Sequence, residues 1–360
     1  MHSAIKTDMV KMPPTDQLVK KFERSIHVFV QLCEQAGPEW SGLFIRILRA
    51  RALRSSLALS GFEVSVQDAL AAVDNEDPID CDKASFQALA GYQSAISFLL
   101  TRCKSSDFRF NKEALLAVQF MICEHEKGAH AGSFRIGARS SAIHSDDYSS
   151  GPDGGVHDTG RDKLLLDVSS DEPAIGRAAR ARHDILRLRP FSRGNGRVAR
   201  CLHTAILSRH YGVDPAVVSI DEYIAQNAPY VRELFNLALI GHATAWFEYF
   251  VEAHARHMQR VLREATESAR IHEKLLGLVA TKGLPARGAL ALLQSIMGLD
   301  VRNSSYKNSA DISINLASRD LKSLVDARLL VAKGDKRGRS YQVADDLLGY
   351  CREYRKVSRE

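Results

Sequence analysis

Apolar residues recur at three- and four-residue steps through Phe22–Leu32, Leu43–Leu59, Phe86–Leu100 and Leu115–Ile122. That period gathers apolar side chains on one stripe of a helix, so the spacing predicts a helical first third of the chain. Pro13-Pro14, Gly61, Pro78 and Ser105-Ser106 punctuate it. Between Arg139 and Gly160 the pattern gives way to Ser, Asp and Gly, which reads as a long loop.

The period returns near Asp171-Glu172-Pro173, where two acids and a first-turn proline suit a helix start, and it continues to about Leu188. A second helix is predicted to open at Arg197, with Val198, Cys201, Leu202, Ala205 and Ile206 on one stripe, and to end at Gly212. Tyr223 to Leu262 is helical again, and its Trp246, Phe247, Tyr249 and Phe250 read as core packing. From about Ala265 the pattern changes. Helical stretches at Ile271–Ala280, Leu284–Met297 and Ser305–Ile312 precede a helix over Ser313–Ala327. Two short apolar runs follow, Leu329–Lys333 and Arg339–Val343, around the turn Gly334–Gly338. A helix feeding two strands around a basic glycine turn resembles a winged helix-turn-helix.

Composition narrows the class. Apolar residues at 45% and charged residues at 26% fit a soluble globular chain of 360 residues, long enough for two or three domains. No apolar run reaches the ~18 residues a membrane helix needs. The start of the sequence lacks an apolar signal core. Six cysteines (Cys33, Cys81, Cys103, Cys123, Cys201, Cys351) lie without CxxC spacing, which favours reduced thiols over a disulfide frame or a zinc site. A cytoplasmic location without metal is the expectation.

The net charge of +6 matters less than where it sits. Eight arginines fall in the 24 residues from Arg177 to Arg200, with Asp184 the only acid among them. The run is centred on Gly194-Asn195-Gly196, a glycine turn opening a helix. Unpaired amides and the helix dipole make such a turn an anion cradle.

The segment Arg189-Pro190-Phe191-Ser192-Arg193-Gly194-Asn195-Gly196-Arg197-Val198-Ala199-Arg200 resembles the active-site loop of the Fic (Fido) family, HxFx(D/E)GNGRxxR. Members mostly transfer AMP from ATP to a hydroxyl of a target protein. The match holds at Phe191, Gly194, Asn195, Gly196, Arg197 and Arg200. The resemblance implies that Asn195 orients nucleotide phosphates and that Arg197 and Arg200 hold their oxygens. Two positions depart from the family. Arg189 stands in place of the histidine base and Arg193 in place of the acidic magnesium ligand. A guanidinium stays protonated below pH ~12 and cannot accept the target's proton. Losing a positioned base forfeits about 10²–10⁴ in rate. Arg193 would repel Mg²⁺ while supplying a fixed positive charge of its own.

A second departure fits the first. Many members carry an inhibitory helix ending in (S/T)xxxE(G/N), whose glutamate pairs with the second motif arginine. Ser56-Leu57-Ala58-Leu59-Ser60-Gly61 matches, with Ser60 in the glutamate's place. The alternative for Gly61 is an ordinary helix cap. Ala131–Arg135 resembles the segment ahead of the target-docking flap, which would lie in 139–160. His183, upstream of the loop, and His203, on the next helix, read as packing residues rather than as a replacement base.

The expected fold is mainly α: a Fic-type helical core with a small β-hairpin flap, then an α/β winged-helix domain. The divisions are 1–110 for an N-terminal helical region, 111–262 for the core, 266–348 for the winged helix and 349–360 for a tail. The expected function is binding of a phosphorylated ligand, ATP or another nucleotide, without turnover and without magnesium, coupled to DNA binding. Candidate DNA contacts are Ser313, Asn315, Ser318, Arg319 and Lys322 on the helix, with Lys333, Lys336, Arg337 and Arg339 at the wing. Further partners are a protein target at the flap or a second copy of the chain. The alternative is an active nucleotidyltransferase, of AMPylation type, with altered chemistry.

Overall fold

The computed structural model describes residues 15–77, 80–135, 173–334 and 339–359. Helices dominate. In chain order they are α1 (Thr15–Ala36), α2 (Pro38–Ala58), α3 (Val66–Val73), α4 (Lys83–Cys103), α5 (Lys112–Cys123), α6 (Ala174–Leu188) and α7 (Asn195–Tyr211). Then come α8 (Pro215–Val218), α9 (Asp221–Gln226), α10 (Ala228–Leu239), α11 (Thr244–Thr281), α12 (Gly288–Ile296), α13 (Asn303–Ala310), α14 (Ile314–Asp326) and α15 (Leu348–Arg359). Local chemistry fixes several starts. Ser65, Asp82 and Asn111 each accept a first-turn amide as N-caps, and Pro38 occupies the first turn of α2.

Helix α7 is the centre of the molecule. It packs along α6 and is flanked by α2, α4 and α5. The sequence predicts one apolar stripe here, beginning at Arg197. The helix instead begins at Asn195, and every residue from Asn195 to Ser208 is buried. Its polar side chains are enclosed too, because partners from other helices meet them. Trp246 and Phe250 pack against one another with tilted rings in the core beneath α6, and the Trp246 Nε1–H donates to the Ala179 carbonyl at 3.2 Å.

The change of pattern near Ala265 is not a break in structure. Helix α11 runs unbroken for 38 residues from Thr244 to Thr281. Ala265, Ser268, Ile271, His272 and Leu275 continue its buried face at helical spacing, so packing against α1 carries the helix onward. Trp40 of α2 also meets this helix, donating from Nε1 to Ser268 Oγ at 3.1 Å.

The single sheet among the described residues is an antiparallel hairpin of β1 (Leu330–Lys333) and β2 (Ser340–Val343), in register Leu330 to Val343. Val301 forms a bridge to Tyr341 at its edge. Helices α12, α13 and α14 precede it, clamped by Asp320. That carboxylate accepts from Arg287 Nε at 2.6 Å and from the Tyr306 hydroxyl at 3.0 Å. Arg46 of α2 ties this end to the rest. It donates to Asp74 at 2.5 and 2.6 Å and to the Ser305 carbonyl at 3.2 Å. The flap expected over 139–160 lies outside the described residues. No helix among those described is long and apolar enough to cross a membrane.

Candidate functional site

Helix α6 ends where the loop begins. Arg189 caps it in the left-handed region (φ 44°, ψ 61°), its amide donating to the Ile185 carbonyl. A non-glycine residue there costs on the order of 1 kcal/mol, so surrounding contacts must hold it. Arg135 does so from the other side of the loop. Its Nε donates to the Arg189 carbonyl at 2.7 Å, and its amide donates to the Pro190 carbonyl at 2.9 Å. Phe134 stacks on Phe191 with centroids 5.5 Å apart. The Ala131–Arg135 segment is thus the buttress of the loop.

Asn195 closes the loop from within. Its Oδ1 accepts from the Phe191 amide at 3.0 Å and its Nδ2 donates to the Phe191 carbonyl at 2.9 Å. Both ends of this side-chain amide therefore hold loop backbone. Gly194 turns at φ 79°, and an added Cβ would sit 2.4 Å from the Cys123 sulfur. Glycine is required by conformation and by the proximity of α5 together. Gly194 as N-cap gives α7 no side-chain cap, so the amides that open α7 at Asn195, Gly196 and Arg197 remain directed to the loop.

Both motif arginines are buried and held. Arg197 Nη2 bonds the Glu126 carboxylate, Nη1 donates to the Ile122 carbonyl at 3.4 Å, and the guanidinium lies 5.1 Å from the Phe62 ring centroid. Arg200 reaches the opposite way, to α2. Its Nε donates to Ser56 Oγ at 2.7 Å, and its Nη2 donates to the Ser56 carbonyl at 2.9 Å and to the Ser60 hydroxyl. The sequence-matched inhibitory position thus does meet the second motif arginine, through hydroxyls in place of a carboxylate. Gly61 follows at φ 79° and reverses the chain after α2. Asp221 supplies the buried countercharge, 4.0 Å from Arg200 and 3.3 Å from Arg182.

Arg193 is the half-exposed member, and its Nη1 lies 3.8 Å from the other Glu126 oxygen. Glu126 therefore bridges the arginine at the metal-ligand position and the first arginine of the cradle. Sequence reasoning missed it. The only local signal is an acid in the turn after α5. His125 beside it is pushed below the ordinary imidazole range by burial; its Nε2 lies 3.8 Å from the Glu126 carboxylate, and neither ring nitrogen has a hydrogen-bond partner among the described residues.

The two other histidines do not serve the loop. His183 packs against Phe235 and Trp246. His203 is fully buried with its Nε2 2.8 Å from His254 Nε2, and burial pushes it down to about 3. Among the described residues no cluster of His, Cys, Asp or Glu side chains is grouped to hold a metal ion. Of the C-terminal candidates, Asn315, Arg319, Lys322, Lys333 and Arg339 are exposed, whereas Ser318 is half-buried and accepts from Asn303. Lys336 and Arg337 lie outside the described residues.

No protein-family profile and no curated protein matches the sequence. Solved structures do. A Fic family protein from Desulfovibrio desulfuricans G20 aligns over 93% of this chain and 97% of its own at 15% identity, with a TM-score of 0.59. Fic-1 from C. elegans aligns over 69% of this chain and 73% of its own at 17% identity, with a TM-score of 0.53. A Fic domain containing signaling protein from Bacteroides thetaiotaomicron VPI-5482 covers 69% of this chain and 97% of its own at 13% identity and a TM-score of 0.52. Structural likeness at these identities speaks to architecture, and the architecture of this chain is the Fic fold.

Proposed function

We propose that this protein binds a nucleotide or another phosphorylated ligand on the Arg189–Arg200 loop, does not transfer it, and relays its occupancy to a DNA-binding winged helix. The observation that carries this reading is the position of Arg193. Where the motif would carry a metal-binding carboxylate, Arg193 places a half-exposed guanidinium two residues ahead of the first residue of α7, and its neighbouring acid, Glu126, is already engaged by Arg193 and Arg197. Such a site attracts phosphate by fixed positive charge and leaves its one neighbouring carboxylate, Glu126, committed to arginines rather than to Mg²⁺. Arg189 cannot take a proton from an attacking hydroxyl.

The deciding measurement is intact mass after incubation with each nucleoside triphosphate and Mg²⁺, alongside thermal melting. A rise in melting temperature without an adduct, insensitive to EDTA, is the expected result. A magnesium-dependent adduct on the wild-type chain or a partner would establish the transferase reading instead. The Arg189→His/Arg193→Asp variant should gain labelling if only the chemistry was lost.

The winged-helix part of the reading is supported by three helices, a hairpin, and an exposed row of Asn315, Arg319 and Lys322 on α14. Lys333 and Arg339 flank the turn between the strands. DNA affinity should fall steeply with salt, and Arg319→Gln with Lys322→Gln should reduce the log–log slope by about 2. An affinity indifferent to ionic strength would remove DNA from the proposal.

A further inference from the structure

The turn after α5 sets one carboxylate among three nitrogen groups. Glu126 Oε1 bonds Arg197 Nη2 and lies 3.8 Å from His125 Nε2, while Oε2 lies 3.8 Å from Arg193 Nη1. Both guanidinium groups carry a fixed positive charge, and the imidazole is the one neighbour that can gain a charge near neutral pH. The backbone on either side is pinned to the motif loop. Gln119 of α5 donates from Nε2 to the Arg193 carbonyl at 3.4 Å, and its Oε1 accepts from the Gly132 amide at 2.6 Å. The Ser192 hydroxyl donates to the Ala129 carbonyl. With turn and loop fastened together, torsion of the Glu126 side chain is enough to change its partner.

His125 is the partner in waiting. Its side chain is largely buried, and neither ring nitrogen has a hydrogen-bond partner among the described residues. The charged groups that face it are Glu126 and Glu124 of its own turn and Arg197 of α7. Burial disfavours its protonated form most. Glu126 opposes that, Arg197 reinforces it and Glu124 opposes it. While the Glu126 carboxylate is bonded to Arg197, the ring is therefore neutral.

We propose, on the reading of the motif loop as an anion site, that His125 is its positioning residue: when a tetrahedral dianion takes Arg193 and Arg197, the displaced Glu126 carboxylate turns to His125, which takes up one proton from solvent. The exchange balances. The dianion replaces the carboxylate on the guanidinium groups, and the carboxylate receives an imidazolium in their place. Closing the 3.8 Å separation by about 1 Å makes a charge-assisted hydrogen bond between Oε1 and Nε2. Without that proton, a released carboxylate would stand beside the incoming dianion and repel it. Uptake on binding sets the sign of the pH dependence. Anion affinity rises as pH falls, by up to about tenfold per pH unit for one proton.

The test is calorimetric titration of the full chain with sulfate, a tetrahedral dianion with no proton of its own to exchange near neutral pH. Paired buffers of different ionisation enthalpy count the protons taken up, and a series from about pH 8 to 5.5 reads the slope of affinity. Wild type, His125→Gln, Glu126→Gln and His130→Gln are compared, the last as an exposed histidine of the same turn. Wild type and His130→Gln should take up a large fraction of a proton and bind more tightly as pH falls. His125→Gln should bind sulfate with no uptake and a flat profile, and Glu126→Gln should show a smaller uptake than wild type. Should His125→Gln fail to fold, the wild-type count and the Glu126→Gln comparison decide. Saturable binding by wild type without proton uptake, uptake that survives His125→Gln, or uptake undiminished by Glu126→Gln overturns the proposal and leaves the loop an anion site. Absence of sulfate binding at every pH removes the anion reading of the loop and the role of His125 together.

Discussion

Ser56 holds the guanidinium of Arg200 at two points, its hydroxyl accepting from Nε at 2.7 Å and its carbonyl from Nη2 at 2.9 Å. Both residues are buried, so neither can turn to water if the other is removed. A hydrogen bond to a charged donor contributes about 1.5–3 kcal/mol. Ser56→Ala should therefore cost about 2 kcal/mol in urea unfolding, with the carbonyl and Ser60 contacts retaining the rest. A cost below ~0.5 kcal/mol would mean that Arg200 is held by other contacts.

Gly194→Ala should be worse. The new methyl meets the Cys123 sulfur at 2.4 Å, and the backbone is at φ 79°. Overpacking costs about 1–3 kcal/mol and left-handed strain about another 1 kcal/mol. Pairing it with Cys123→Ala should recover the steric share and leave the conformational one. If the double variant is no better than the single, the clash is not the cause.

How much of this was legible in the sequence follows from distance along the chain. The loop from Arg189 to Arg200 was readable because its turn, its glycines and its helix start are adjacent residues. Ser60 was readable because the pattern Ser56–Gly61 is also contiguous. Glu126 was not, since its two arginines lie 67 and 71 positions away by sequence numbering, and no local spacing announces such a pairing. Asp221 beneath Arg200 is hidden for the same reason. The continuity of α11 was missed because charged residues interrupt the apolar count near Glu264. Yet Glu264 is itself buried, neutralised by Arg51.

Acid sensitivity is expected from the histidines under the core. His203 and His257 are pushed down to about 3 by burial, and His254 well below its ordinary value by burial and its histidine neighbours. The unfolded chain takes up protons near pH 6.5 that the native state refuses. Stability is thus fully present above pH 6.5 and is lost as pH falls toward 3. Each histidine contributes up to about 1.4 kcal/mol per pH unit in that window. Unfolding free energy should drop by about 3 kcal/mol or more between pH 7 and 5.5. His254→Leu should flatten the slope, and an unchanged slope would assign the effect elsewhere.

Glu126→Gln separates the two tasks of the loop, folding and anion capture. In the native protein one carboxylate bonds Arg197 and faces Arg193 at 3.8 Å, so an incoming phosphate competes with an internal anion. The amide keeps one acceptor for Arg197 but removes the negative charge. Two consequences should run in opposite directions. Thermal stability should fall, since a largely buried arginine loses its ion-pair partner, at a cost of about 1–3 kcal/mol. Affinity for ATP or inorganic phosphate should rise several-fold, because the same charge no longer competes for the guanidinium groups. Calorimetry on the variant reads both quantities. A loss of stability with no gain in phosphate affinity would mean that Glu126 only braces Arg197 and that the loop does not receive an anion beside it.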